Sequence, residues 1–158
     1  MRVYENSELI VYWYPELCAH VSFCVRDLRA VFDAKKRPWV NINGAAPEEI
    51  IKVIDACPSG ALRYSLPAGS KVQPSLANGS GSLDYRDKST VTKMKAIKKG
   101  PLLVEGPTAI YNMKGELIKE ASRMTLCQCG LSSNPPFCDG SHRPDIRAKK
   151  AEAATESK

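Results

Sequence analysis

Four side chains with metal-binding donors fall within sixteen residues of one another: Cys127, Cys129, Cys138 and His142. Three thiols and an imidazole are soft or borderline donors, and together they select zinc, copper or an iron–sulfur cluster over magnesium or calcium. Zinc fingers usually hold two to four residues between paired cysteines, whereas a single residue, Gln128, separates Cys127 from Cys129. Cys138 and His142 are four apart, so one helical turn would bring both to the same side, and Asp139 is placed to cap that turn.

A second, sparser set lies in the first third of the chain. Cys18 and Cys24 flank His20, and Cys57-Pro58 follows 33 residues after Cys24. Three thiolates suit a [3Fe–4S] cluster, one per ligated iron. They also suit a [4Fe–4S] cluster whose fourth iron takes histidine, water or another ligand, with His20 as the candidate in the chain. The bland alternative is that these cysteines are small buried hydrophobes. Against it, all six cysteines and both histidines of the chain fall inside the two sets, with none left over.

Two patterned blocks must position these residues. In the first, Leu9–Tyr14 is rich in β-branched and aromatic residues and reads as a strand ended by Pro15. Pro38–Ile42 is a short strand closed by Asn43-Gly44. Pro47 opens a helix with Glu48 and Glu49 at its positive end and an apolar face of Ile50, Ile51, Val53 and Ile54, stopping near Cys57-Pro58. Ala61–Tyr64 reads as a closing strand. In the second block, Leu102–Val104 and Ala109–Tyr111 read as strands broken by Gly106-Pro107, Asn112–Gly115 as a turn, and Leu117–Leu126 as further strand. Between the blocks, residues 66–89 are dominated by Gly, Ser, Pro and Asn and read as a linker. The resulting expectation is an α+β chain with a small first domain over 1–65, a mostly β second domain over 90–147, and a disordered charged tail over 148–158.

The net charge of +6 is concentrated in the second block. Residues 1–64 balance at zero and residues 90–150 carry +6, much of it from Lys93, Lys95, Lys98 and Lys99. A basic face attracts nucleic acid or an acidic protein. This run has no aromatic interleaving for base stacking, so an acidic protein partner is the expected one, and otherwise the run is a solvated face. No apolar stretch is long enough for a transmembrane helix, and the acidic start does not read as a secretory leader, which leaves the cytoplasm as the expected setting.

The C-terminal set resembles the CDGSH iron–sulfur family, the mitoNEET-like proteins. The family pattern, Cys-x-Cys, two residues, Ser/Thr, three residues, Pro-x-Cys-Asp-Gly-Ser-His, is met at Cys127, Cys129, Ser132, Pro136, Cys138, Asp139, Gly140, Ser141 and His142. The resemblance covers roughly Val91 to Arg147. It implies a [2Fe–2S] cluster with Cys127 and Cys129 on one iron and Cys138 and His142 on the other, with Ser132 and Asp139 as supports, and it adds homodimerisation to the expectations. The N-terminal segment from about Val3 to Tyr64, including Arg37-Pro38-Trp39-Val40, resembles the divergent single-cluster ferredoxin-like domain. It keeps the outer spacing and the distant Cys-Pro of the bacterial pattern, with Val21 at the middle cysteine position.

The function expected from this reading is one-electron transfer between redox proteins, without enzymatic activity, since no nucleophile–base pair is recognisable. A cluster carrier or redox sensor is the alternative, because a single histidine ligand eases cluster loss. A structural zinc module comes third, because Cys₃His is also a zinc set.

Overall fold

The computed structural model describes residues 1–155. The chain is α+β, with two small antiparallel sheets and few helices, and it divides into two compact units. The first unit comprises Met1–Pro15 and Ser22–Lys88. The second comprises Glu16–Val21 and Ser89–Lys158.

The first unit is built on a three-stranded sheet in which β1 (Arg2–Glu5) pairs with β2 (Ile10–Trp13), and β2 with β3 (Leu62–Ser65). The alternation of β2 and β3 sends Val11, Leu62 and Tyr64 inward. A short helix α1 (Phe23–Asp27) is followed by α2 (Pro47–Asp55), which begins as its sequence dictates. Pro47 occupies the first turn, Glu48 and Glu49 stand at the positive end, and the Glu49 carboxylate accepts the Ala46 N–H at 3.2 Å. Ile50, Ile51 and Ile54 fall on one face and pack with Leu9, Phe32, Trp39 and Tyr64. Each such burial contributes about 1.5–3 kcal/mol. The Pro38–Ile42 stretch makes only an isolated bridge, Val40 to Phe32, because Asn41 already turns back to Gly44. β1 was not legible in the sequence: its four residues are mostly exposed and lack a buried face.

Residues 66–88 do not behave as the linker their composition suggests. Val72 is buried in the first core, Ser70 Oγ donates to the Glu8 carbonyl at 2.8 Å, and Lys71 N–H donates to the Glu8 carboxylate at 2.6 Å. Ser82 bridges to Tyr64, and the N–H groups of Gly79 and Gly81 reach the Tyr64 hydroxyl and the Asp55 carboxylate. The glycines permit this close approach. A side chain at Gly79 would collide with the Asp55 carboxylate. The first unit therefore extends to Lys88.

The second unit carries β4 (Lys93–Ala96), β5 (Leu102–Tyr111) and β6 (Leu117–Leu126), hydrogen-bonded in that order. Gly106-Pro107 does not break the chain into two strands. It makes a register shift inside one long strand, with Gly106 at φ +116° and close to the Val91 carbonyl. The Asn112–Gly115 turn closes the β5–β6 hairpin through Asn112 N–H to Glu116 O and Gly115 N–H to Asn112 O. Its small core is Val104, Met124 and Phe137. Instead of fraying from residue 148, the chain forms helix α3 (Pro144–Thr155): Pro144 suits the first turn, and the alanines, lysines and glutamate that follow are strong helix formers. Residues 156–158 of the expected tail lie outside the described residues. Among the described residues, no helix is long and apolar enough to cross a membrane.

Candidate metal centre

The end of β6 and the loop that returns beside it make the C-terminal site. Leu126 bridges to Phe137, Cys127 N–H donates to the Pro136 carbonyl at 2.8 Å, and Cys138 N–H donates to the Thr125 carbonyl at 2.9 Å. This short antiparallel pairing sets the segments of Cys127 and Cys138 side by side. The structure then joins the donors in two pairs. Cys127 Sγ lies 3.6 Å from Cys129 Sγ, and Cys138 Sγ lies 3.4 Å from His142 Nδ1. With metal–sulfur bonds of about 2.3 Å and metal–nitrogen bonds of about 2.0 Å, the edges of a ligand tetrahedron are roughly 3.5–3.8 Å. Each pair thus has the bite needed to chelate one tetrahedral metal. Among the described residues, no three His, Cys, Asp or Glu side chains are grouped about a single metal position.

The supports hold these pairs from beneath. Asp139 is buried, and its carboxylate accepts the N–H of Ser141 at 3.0 Å and of Ser133 at 2.8 Å. It fastens two stretches of loop and does not cap a helical turn, because Gly140 at φ +83° bends the chain out of helix between Cys138 and His142. Ser132 Oγ donates to the Phe137 carbonyl at 2.6 Å and accepts the Asn134 N–H at 3.1 Å, closing the loop between the pairs. Gln128 Nε2 donates to the Gly100 carbonyl at 3.0 Å and ties the first pair to the β4–β5 turn.

Electrostatics differ between the two pairs. Burial pulls the Cys127 thiol upward, but hydrogen bonds from the backbone of Ser132, Cys129 and Gly130 and from the Cys129 side chain outweigh it and hold the thiol below its ordinary value. Gly130 at φ +72° gives the loop this concave set of donors. Burial pushes the Cys138 thiol up, and the negative charges of Cys127, Asp139 and Cys129 add to it against the Gly140 backbone.

The N-terminal candidates are distributed differently. Cys24 lies in the first turn of α1 and Cys57 in the turn between α2 and β3, both bordering the first core. The Cys57 turn is held by Ser59, whose Oγ lies 3.6 Å from Cys57 Sγ and accepts the Ala61 N–H at 3.3 Å. The buried indole nitrogens of Trp13 and Trp39 belong to this same core, and neither has a hydrogen-bond partner among the described residues. Cys18 and His20 lie on the Glu16–Val21 segment and belong to the second unit. There the Arg143 guanidinium donates to the His20 carbonyl at 2.7 Å and Asn134 Nδ2 to the Glu16 carbonyl at 2.9 Å. Arg143 and Asn134 were not singled out from the sequence, and the only signal was their position beside the motif.

Comparison with known proteins gives a family match over each part of the chain. Residues 4–67 match the family model for the divergent 4Fe-4S mono-cluster, and residues 99–143 match the model for the CDGSH-type iron-binding zinc finger. The uncharacterized protein YjdI of Escherichia coli, from strain K12 and from O157:H7, is 38% identical over 63 residues, which is 40% of this chain and 83% of YjdI. No solved structure matches the chain. The chain therefore belongs to the divergent 4Fe-4S mono-cluster family, with an iron-binding CDGSH-type segment following in the same polypeptide, and is an iron–sulfur protein.

Proposed function

We propose that the protein transfers single electrons between redox partners, using a [2Fe–2S] cluster on Cys127, Cys129, Cys138 and His142 and a [3Fe–4S] or [4Fe–4S] cluster on Cys18, Cys24 and Cys57. The observation that carries this reading is the pairing of the C-terminal donors, 3.6 Å within one pair and 3.4 Å within the other. Two chelating pairs suit two adjoining irons, whereas a structural zinc would draw all four donors about one point. The buried Trp13 and Trp39 N–H groups, in the core that Cys24 and Cys57 border, support an N-terminal cluster, since such donors call for an acceptor. Such clusters, when bound, supply one-electron chemistry at a potential set by ligand type, hydrogen bonding and solvent exposure.

The residues around the C-terminal site suit that role. The backbone donors at Cys127 stabilise negative charge on sulfur, and replacing a fourth thiolate by the neutral His142 imidazole lowers the total negative charge, so adding an electron costs less. We assign the Cys138–His142 pair to cluster ligation and not to nucleophilic catalysis, and read the protein as a non-enzymatic carrier of electrons in the cytoplasm. Delivery of the cluster itself is the second reading, favoured by the exposed Cys129 and by the single imidazole among the ligands.

Iron and acid-labile sulfide per chain, measured on anaerobically purified protein, with low-temperature EPR before and after dithionite, test the assignment. Five or six irons, with a [2Fe–2S] signal beside a cuboidal one, are expected. Two irons with a lone [2Fe–2S] signal would remove the first cluster, and colourless protein containing zinc would remove both. Incubation with an apo-ferredoxin separates the two functions: stable clusters under turnover support electron transfer, and transfer that stops in His142→Cys supports delivery.

A further inference from the structure

The segment Glu16–Val21 is far in sequence from the C-terminal candidate ligands, yet the loop that carries them holds two of its backbone carbonyls. Asn134, between Cys129 and Cys138, holds the Glu16 carbonyl at 2.9 Å. Arg143, directly after His142, holds the His20 carbonyl at 2.7 Å. Asp145 orients that guanidinium through a two-pronged contact, Nε to Oδ1 at 3.2 Å and Nη2 to Oδ2 at 2.9 Å, which leaves Nη1 aimed at His20.

The third anchor is steric. Gly140, between Cys138 and His142, lies under His20 so closely that a side chain there would meet the imidazole Cδ2 at 3.0 Å and the His20 Cβ at 3.1 Å. Ala19 beside it is 1% exposed. His20 and Ser22 both adopt the left-handed backbone region, at φ +51° and +61°, which non-glycine residues enter at a cost. Strained backbone of this kind persists where the surroundings hold it, and at His20 the Arg143 guanidinium and the Gly140 backbone are among the holding groups.

We propose that His20, held by Arg143, is a positioning residue of the C-terminal cluster site: its carbonyl and ring clamp the Gly140 bend and fix the spacing of Cys138 and His142. This assigns His20 to the second site in place of the ligand role that its distance of two residues from Cys18 suggested. The inference rests on the reading of Cys127, Cys129, Cys138 and His142 as cluster ligands.

Arg143→Gln and His20→Ala in the full chain test it, with Arg143→Lys as the conservative control. The first measurement needs no cluster: amide hydrogen exchange of residues 16–21 and 138–142 in metal-free protein. Loss of one such hydrogen bond should speed exchange in both segments roughly three- to tenfold in Arg143→Gln, with partial recovery in Arg143→Lys. The second is the rate at which the C-terminal cluster's absorbance and EPR signal decay, expected to rise by a similar factor in both variants while the cuboidal signal of the first site is unchanged in His20→Ala. Unchanged exchange in Arg143→Gln overturns the clamp. Loss or shift of the cuboidal signal in His20→Ala, with normal decay at the C-terminal site, overturns the assignment and restores His20 as a ligand. Absence of any [2Fe–2S] signal in the parent protein would sink the underlying cluster reading instead, and the exchange measurement would still decide whether the clamp exists.

Discussion

Cys127 and Cys138 lie on paired stretches of backbone, and their thiols are driven in opposite directions. Donors from Ser132, Cys129 and Gly130 favour the Cys127 thiolate over its burial, while burial and neighbouring negative charge keep the Cys138 proton on. The thiolate is the nucleophile, so metal-free protein near neutral pH should be alkylated by iodoacetamide at Cys127 before Cys138. Peptide mass spectrometry over time gives the order, and simultaneous labelling would contradict the electrostatic account. The linkage signs follow. Cys127, depressed in the folded state, adds stability above the ordinary thiol range that is lost as pH falls through its folded value. Cys138, raised, adds stability below that range that is lost as pH rises through its folded value. In its proposed role as an iron ligand His142 introduces a different sensitivity, because a proton would compete with the iron for the ring nitrogen. Bleaching of the C-terminal cluster should therefore accelerate from neutral to mildly acidic pH, and His142→Cys should abolish that acceleration. The same substitution should lower the midpoint potential, in the direction of the difference between two-histidine and all-cysteine [2Fe–2S] centres. Flat bleaching rates in the parent protein would remove His142 from the ligand set.

Among the elements, those with a strong period were legible and those made by tertiary contact were not. Helix α2 could be read because Pro47, the two glutamates and the isoleucines all point to the same turns. The β5–β6 hairpin was partly legible: its turn stood out, but Gly106-Pro107 looks like a strand break, and only pairing with β6 on either side reveals a bulge. The segment 66–88 was misread as a linker for a related reason. Its glycines serve close approach to Asp55 and Tyr64, which composition alone cannot distinguish from flexibility. That contact has a measurable strength. The Tyr64 hydroxyl donates to Asp55 at 3.1 Å and accepts the Gly79 N–H at 3.2 Å, with Tyr64 itself fully buried. Tyr64→Phe leaves the Gly79 N–H and the carboxylate short of a partner each, and should destabilise the first unit by about 1–3 kcal/mol in urea unfolding. A change within error would mean that residues 66–88 are only loosely applied to it. The candidate donors of the C-terminal site stood out because the nine motif positions lie in one short stretch, and the structure brings them together in two pairs. The clamp on Gly140 was invisible, because it joins residues more than a hundred positions apart.

At the scale of the whole molecule the charge is divided as the ligands are, with a neutral N-terminal portion and a basic C-terminal one. The sheet of the second unit gives the basic residues a location. Lys93 and Lys95 lie on β4, which among the described residues pairs only with β5, and Lys98 and Lys99 occupy the turn into β5, all four exposed. Lysines on such a strand have a bland role, blocking edge-to-edge pairing, and that role needs no partner. The partner role makes a separate demand: the lysines must act at a distance on an oppositely charged surface. Between about 0.02 and 0.5 M salt the screening length shrinks from roughly 20 Å to under 5 Å, which erases steering while leaving short contacts and edge protection in place. If these lysines guide an acidic redox protein, the bimolecular rate of electron exchange with an acidic ferredoxin should fall at least tenfold across that range in stopped-flow measurements. Replacing all four lysines by glutamine should give the slow rate already at low salt and flatten its salt dependence, with the [2Fe–2S] spectrum unchanged. A rate that ignores salt in the parent protein, or a glutamine variant that exchanges electrons as fast, would leave the lysines as edge guards and place partner recognition elsewhere on the chain.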